Sequence, residues 1–229
     1  MTHRTPLAVT AALIALAVPS LAIGQKPKPK PTPTPSPYAL PGGVSIKANP
    51  NPVVFNGPVS ITGKVDKAKS GVKVTLMKRT VPAATFSTVG SAQTANNGTY
   101  TLVDRPARNT TYHVIAATSP VSQSPDVLVK VAMLVGMRVS DTTPARGARV
   151  RFSGIVRPPH NGRTAYVQKA ASGGRWVTVA RATLRALDAK SSRYAKTIRV
   201  RRSGTYRVRV LGHVDHAMGI SRPRALTVH

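Results

Sequence analysis

Gly204-Thr205-Tyr206-Arg207-Val208-Arg209-Val210 has an earlier counterpart in Thr110-Thr111-Tyr112-His113-Val114-Ile115-Ala116. In both, a tyrosine, a valine and a third apolar residue fall at every second position, the period of a strand with one buried face. Each stretch is therefore predicted to be a strand, and the chain to be a duplication.

The flanking residues extend the match. Gly63 and Gly71 correspond to Gly154 and Gly162 at an offset of 91 residues, and Tyr100 and Tyr112 to Tyr194 and Tyr206 at an offset of 94. Phe86 and Val89 answer to Trp176 and Val179, and Val129 and Val131 to Leu226 and Val228. An offset that grows slowly along the chain places small insertions in loops of the second copy.

In the first copy, strands are predicted near 44–48, 58–65, 72–78, 85–91, 99–103, 110–117 and 127–132. Turn residues punctuate them: Asn49-Pro50-Asn51-Pro52, Ser70-Gly71, Asn96-Asn97-Gly98 and Ser119-Pro120. Seven short strands at this spacing suit a sandwich or barrel. Val59, Ile61, Val72, Val74, Leu76, Tyr112 and Val114 should face its core. The second copy offers Val150, Phe152, Trp176, Tyr194, Ile198, Val200, Tyr206, Val208 and Val210.

These residues resemble the bacterial immunoglobulin-like and fibronectin-like modules of secreted and cell-surface proteins. The resemblance rests on Gly63 and Gly154, Phe86 and Trp176, Tyr100 and Tyr194, and the Thr-Tyr pairs at 111–112 and 205–206. It implies an all-β chain of two tandem seven-stranded immunoglobulin-like β-sandwiches, at 44–131 and 132–229. It also implies that Tyr112 and Tyr206 occupy the tyrosine corner, with the hydroxyl bonding back to the chain. Both inter-sheet cysteines of antibody-type domains are missing, so packing alone must hold the sheets together.

Residues 1–22 have the plan of a secretory signal peptide: Arg4 near the start, an apolar run from Leu7 to Val18, and small residues up to Ala22, with Gly24 as an alternative cleavage point. A membrane anchor is the competing reading, but the run falls short of the roughly 20 residues a spanning helix needs. Residues 23–43 form a Lys-, Pro- and Thr-rich linker. Its alternating prolines over Gln25 to Pro37 favour a semi-rigid extended spacer of roughly 40 Å. The expected location is extracellular or at the cell envelope.

The chain carries 34 Lys and Arg against 6 acidic residues, a formal net charge of +28, and no cysteine. All six acids are aspartates, scattered singly in predicted turns or strand ends. No paired carboxylates, phosphate loop or serine elbow is present, so no enzyme activity and no cofactor are expected. One loop cluster has metal-ligand chemistry. His160 lies in the loop after the second strand of the second copy, and His213, Asp215 and His216 lie after its sixth. The immunoglobulin-like topology places both loops at one end, where they either converge on a divalent ion or remain a solvated polar loop.

Charge is divided unevenly. Residues 44–131 hold ten basic residues and three aspartates, whereas 132–229 hold twenty and three, most of the twenty being arginine. Arginine's planar fork suits phosphate and carboxylate. Strand parity turns Arg138, Arg149, Arg151, Arg199 and Arg201 outward on three strands that the topology makes neighbours, so they form either a polyanion-binding face or an ordinary solvated one. Two function classes follow. One is a structural or adhesive module pair held to anionic cell-wall polymer or lipid head groups. The alternative is a dedicated binder of acidic polysaccharide or nucleic acid.

Overall fold

The computed structural model describes residues 43–68 and 70–229. The expected signal peptide, and the linker up to residue 42, lie outside the described residues.

Two antiparallel sheets enclose the first core. Lys47–Asn49, Val59–Lys64 and Thr99–Asp104 make one. In the other, Ser87–Gln93 pairs with Lys73–Thr80, which pairs with Thr110–Ala116, and the latter is edged by Ser122–Gln123 and Val127–Val129. Alternation decides the packing: Val59 and Ile61, Val74 and Leu76, and Tyr112 and Val114 are fully buried, while their strand neighbours are more exposed. Burying a side chain such as Leu76 contributes about 1.5–3 kcal/mol.

The second module repeats this plan. Leu134–Val135 and Arg138–Val139 pair with Arg149–Arg157, which pairs with Ser191–Arg199. The facing sheet runs Trp176–Thr183, Thr164–Ala170, Gly204–Val210, edged by Gly219–Ile220 and Arg224–Leu226. A short strand, Arg185–Asp188, is added at the edge of the first of these sheets beside Ser191–Arg199. These are two tandem immunoglobulin-like sandwiches. Among the described residues the one helical piece is a 3-10 turn, Ser172–Gly174.

The sheets of the second module are joined by ring packing in place of a disulfide. Phe152 from one sheet meets Tyr206 from the other, with centroids 5.2 Å apart and planes tilted by 47°. The repeated glycine and tyrosine prove to be one device. Tyr100 lies directly opposite Gly63, and Tyr194 opposite Gly154. A β-carbon on either glycine would run into both the tyrosine hydroxyl and a backbone carbonyl, that of Ser45 or of Gly136. Because the space is open, the Tyr100 hydroxyl donates to the Ser45 carbonyl at 2.6 Å and the Tyr194 hydroxyl to that of Gly136 at 2.7 Å. Burial raises the pKa of both phenols, so they stay protonated donors.

The tyrosine-corner expectation needs correction. Tyr112 donates to the Asp104 carboxylate at 2.8 Å, a side chain and not the main chain. At Tyr206 the equivalent of Asp104 is Ile198, which supplies no acceptor.

Trp176 is also corrected: it is half-buried and lies outside the core cluster of its module. Its ring lies on the outer face of the sheet beneath Arg207, whose Cζ is 4.1 Å from the centroid. Phe86 does the same in the first module, packing on His113 at 4.2 Å between centroids, with Arg79 over its face. A flat cation shields one side of each ring, which leaves these aromatics half-exposed without a large apolar patch.

At the junction, Val131 belongs to the first core and Met133 to the second. Val131–Ala132 pairs in parallel with Val53–Val54, and Ala132 bridges to Ala217 of the second module.

Candidate functional site

The five predicted arginines are all exposed, and four of them share one sheet. Arg138 stands opposite Ser153, Arg151 opposite Thr197, and Arg149 directly opposite Arg199. Arg201 follows the end of the strand Ser191–Arg199, separated from Arg199 by buried Val200. Parity carried this reading: the intervening Val150 and Phe152 are buried, so their neighbours must point out.

The face extends further than the five. Arg185 of the added edge strand stands directly opposite Arg193. A cleft of about 1150 Å³ on this side of the module is lined by Arg138, Arg151, Arg157, Arg185, Arg193 and Lys196, among others, and by no carboxylate. Like charges set directly opposite on a sheet are unfavourable by a few tenths of a kcal/mol to about 1 kcal/mol. Among the described residues, no arginine of the second module is within ion-pair distance of an acid.

Arg207 and Arg209 lie on the opposite sheet and are otherwise engaged. Besides capping Trp176, Arg207 donates from Nε to Gln168 at 3.0 Å, and Arg209 reaches over Tyr166 at 5.9 Å. Burial, then repulsion from Arg209, lowers the Arg207 pKa.

The histidine-bearing loops do share one end of the second module. His160, Asp215 and His216 each bring a ligand atom within 4.8 Å of the other two. The His160 and His216 rings stand edge to face with centroids 5.1 Å apart. His216 Nδ1 lies 3.2 Å from Asp215 Oδ2, within ion-pair range but without hydrogen-bond geometry, and that nitrogen is buried. His213 is not part of this trio. Its Nδ1 contacts Asp215 Oδ1 at 3.1 Å and holds the other carboxylate oxygen. Burial opposes the Asp215 charge, but the His213 hydrogen bond and the nearby His216 hold its pKa at about 2. Burial holds the His160 imidazole below its ordinary pKa, and the bond to Pro158 offsets this only in part.

Sequence reasoning did not find what surrounds this cluster. His216 Nε2 contacts the Ala107 carbonyl of the first module at 2.7 Å. Asn109 of that module donates its backbone N–H to the Asp215 carbonyl at 2.8 Å and its side-chain amide to Val214 at 3.0 Å. Its side-chain oxygen accepts from the Val131 N–H at 2.8 Å. The cluster is thus built on the seam between the modules. Nothing local in a sequence reports partners more than a hundred positions away.

No family model matches the chain, and no curated protein does. The solved structures that overlap it include the tetra-tandem repeat in the extending region of a large adhesion protein and bovine butyrophilin. The first has 12% identity and a TM-score of 0.36, covering 81% of this chain and 49% of that one. The second has 11% identity and a TM-score of 0.37, covering 80% and 98%. The chain spans about half the length of the adhesion-protein repeat. At this similarity neither bears on function, and the assignment of an immunoglobulin-like sandwich rests on the strand order itself.

Proposed function

We propose that the chain is a non-enzymatic structural or adhesive module pair, exported to the cell envelope and retained on anionic polymer through the arginine face of its second module. The observation that carries the reading is the pairing of Arg149 with Arg199 and of Arg185 with Arg193 on a face with no carboxylate in its cleft. A solvated surface has no need to place like charges directly opposite, whereas a phosphate or carboxylate polymer lying across the sheet would neutralise both members of each pair. A field of this kind is screened over about 8 Å at physiological salt, so attraction is short-ranged and indifferent to polymer sequence.

The test is binding of the chain to polyphosphate and to isolated anionic wall polymer over a salt series. Changing Arg138, Arg149, Arg151, Arg199 and Arg201 to Ser should weaken binding and flatten its salt dependence. Changing Lys47, Lys64, Lys67, Lys73 and Lys130 of the first module to Ser should matter less. Equal binding by the two variants at low salt would leave the face as solvated surface and the adhesive reading without this ligand.

A further inference from the structure

The hydrogen bonds of the junction histidines fix which nitrogen carries the proton. A carbonyl oxygen only accepts, so His216 Nε2 must donate to Ala107 and His160 Nδ1 must donate to Pro158, the latter at 2.9 Å. In the neutral rings this leaves lone pairs on His216 Nδ1 and His160 Nε2. The first of these faces Asp215 Oδ2 at 3.2 Å and has no hydrogen-bond partner, in a residue 2% exposed. Two acceptors held so close need a cation between them, either a proton or a metal.

We propose that His160 through Nε2, Asp215 through Oδ2 and His216 through Nδ1 form a three-ligand site for a divalent transition ion, zinc above all. Two imidazoles and one carboxylate are zinc ligands, and bonds of about 2.0–2.1 Å at the tetrahedral angle separate neighbouring ligand atoms by roughly 3.3 Å. The Asp215–His216 pair already has that spacing, and a ring nitrogen of His160 lies within 4.8 Å of a ligand atom of each.

The outer partners also fit. Each ligating imidazole would donate its other N–H to a backbone carbonyl, and His213 secures the second carboxylate oxygen, an arrangement that orients ligands in zinc sites. The fourth position opens toward a cleft of about 490 Å³ lined by Arg108 of the first module and by Arg157 and Lys190 of the second. Those cations favour an anionic oxygen as the remaining ligand. Because His216 is bonded to Ala107, an ion here would stiffen the seam between the modules.

The experiment strips the full chain with chelator, then titrates it with Zn²⁺ by calorimetry and with Co²⁺ by visible absorption. One equivalent should bind, with a tetrahedral Co²⁺ spectrum and a Zn²⁺-dependent rise in Tm. His160→Gln and Asp215→Asn should each weaken binding at least about tenfold, the size of loss already seen when supporting partners of a metal site are removed. Asp215→Asn keeps the shape of the side chain, so it reads the ligand even if His160→Gln loosens its loop. His229→Ala should bind as the parent does. No saturable one-to-one binding by the parent, or unchanged binding in the Asp215→Asn variant, would overturn the proposal and leave a proton shared between His216 and Asp215.

Discussion

The Tyr194 hydroxyl donates to the Gly136 carbonyl at 2.7 Å, reaching the segment between Leu134–Val135 and Arg138–Val139 across the bare backbone of Gly154. Tyr100 and Ser45 form the same bond over Gly63. Each tyrosine ties three segments together, which explains why the glycine and the tyrosine recur as a pair.

This device should weigh more through the glycine than through the hydroxyl. Tyr194→Phe loses one hydrogen bond and should cost about 1 kcal/mol. Gly154→Ala forces a β-carbon into the Gly136 backbone and the Tyr194 hydroxyl, and should cost at least about 2 kcal/mol through strain in a packed site. The chain has a single tryptophan, Trp176, so urea unfolding followed by its fluorescence reports the second module alone. A cost for Gly154→Ala below that of Tyr194→Phe would contradict the account.

Ser124 and Ser221 should matter equally in the two modules. Each sits where the last strand breaks, and its hydroxyl accepts the N–H of Val114 or of Val208, both at 2.9 Å. Ser221→Ala leaves a buried N–H unsatisfied and should cost about 1–3 kcal/mol, read again through Trp176. A Ser221→Gly variant with no loss of stability would mean that water replaces the hydroxyl.

Relieving the arginine pairs should stabilise the fold. Arg149→Ser with Arg199→Ser removes a like-charge pair and should raise Tm at low salt, by the equivalent of a few tenths of a kcal/mol. The gain should vanish near 1 M salt, where screening already suppresses the repulsion. A variant less stable than the parent at low salt would show that the two side chains have partners other than each other.

Asp104 should make the first module acid-sensitive. Burial works against its charge, yet bonds from Tyr112 and from Lys78, the latter at 3.0 Å, leave its pKa below the ordinary carboxylate value. A depressed folded pKa means that the unfolded chain binds the proton more tightly. Its stabilisation is therefore complete above the unfolded pKa, about 4, and is lost as pH falls through the lower folded value. Calorimetric Tm measured from pH 6 down to pH 2 should show this loss in the parent. Asp104→Asn should be less stable at neutral pH and have a shallower acid slope. An unchanged slope would assign the acid sensitivity elsewhere.

Much of the fold was legible because it is set by local periodicity. Alternating apolar residues around Tyr112 and Tyr206 specify strands with one buried face, and the glycine and proline turns divide them. The same parity placed Arg149 and Arg151 on the outer face, since Val150 and Phe152 between them must be buried. Trp176 lies on the outer face and not in the core because an aromatic on an edge strand obeys the same period on either face. What assigns it to the outside is a cation on another strand, Arg207, some thirty positions away.

The sequence by itself determined the duplication, the strands, the inward and outward faces of their aliphatic residues and the concentration of charge in the second module, because each follows from side-chain chemistry repeated at short range. Only the tertiary structure decided that Arg149 meets Arg199, that Tyr194 reaches Gly136, and that His160, Asp215 and His216 close on one point against Ala107. Those relationships depend on strand register and on how the two modules meet, which arise from packing between residues distant in the chain and leave no local pattern in it.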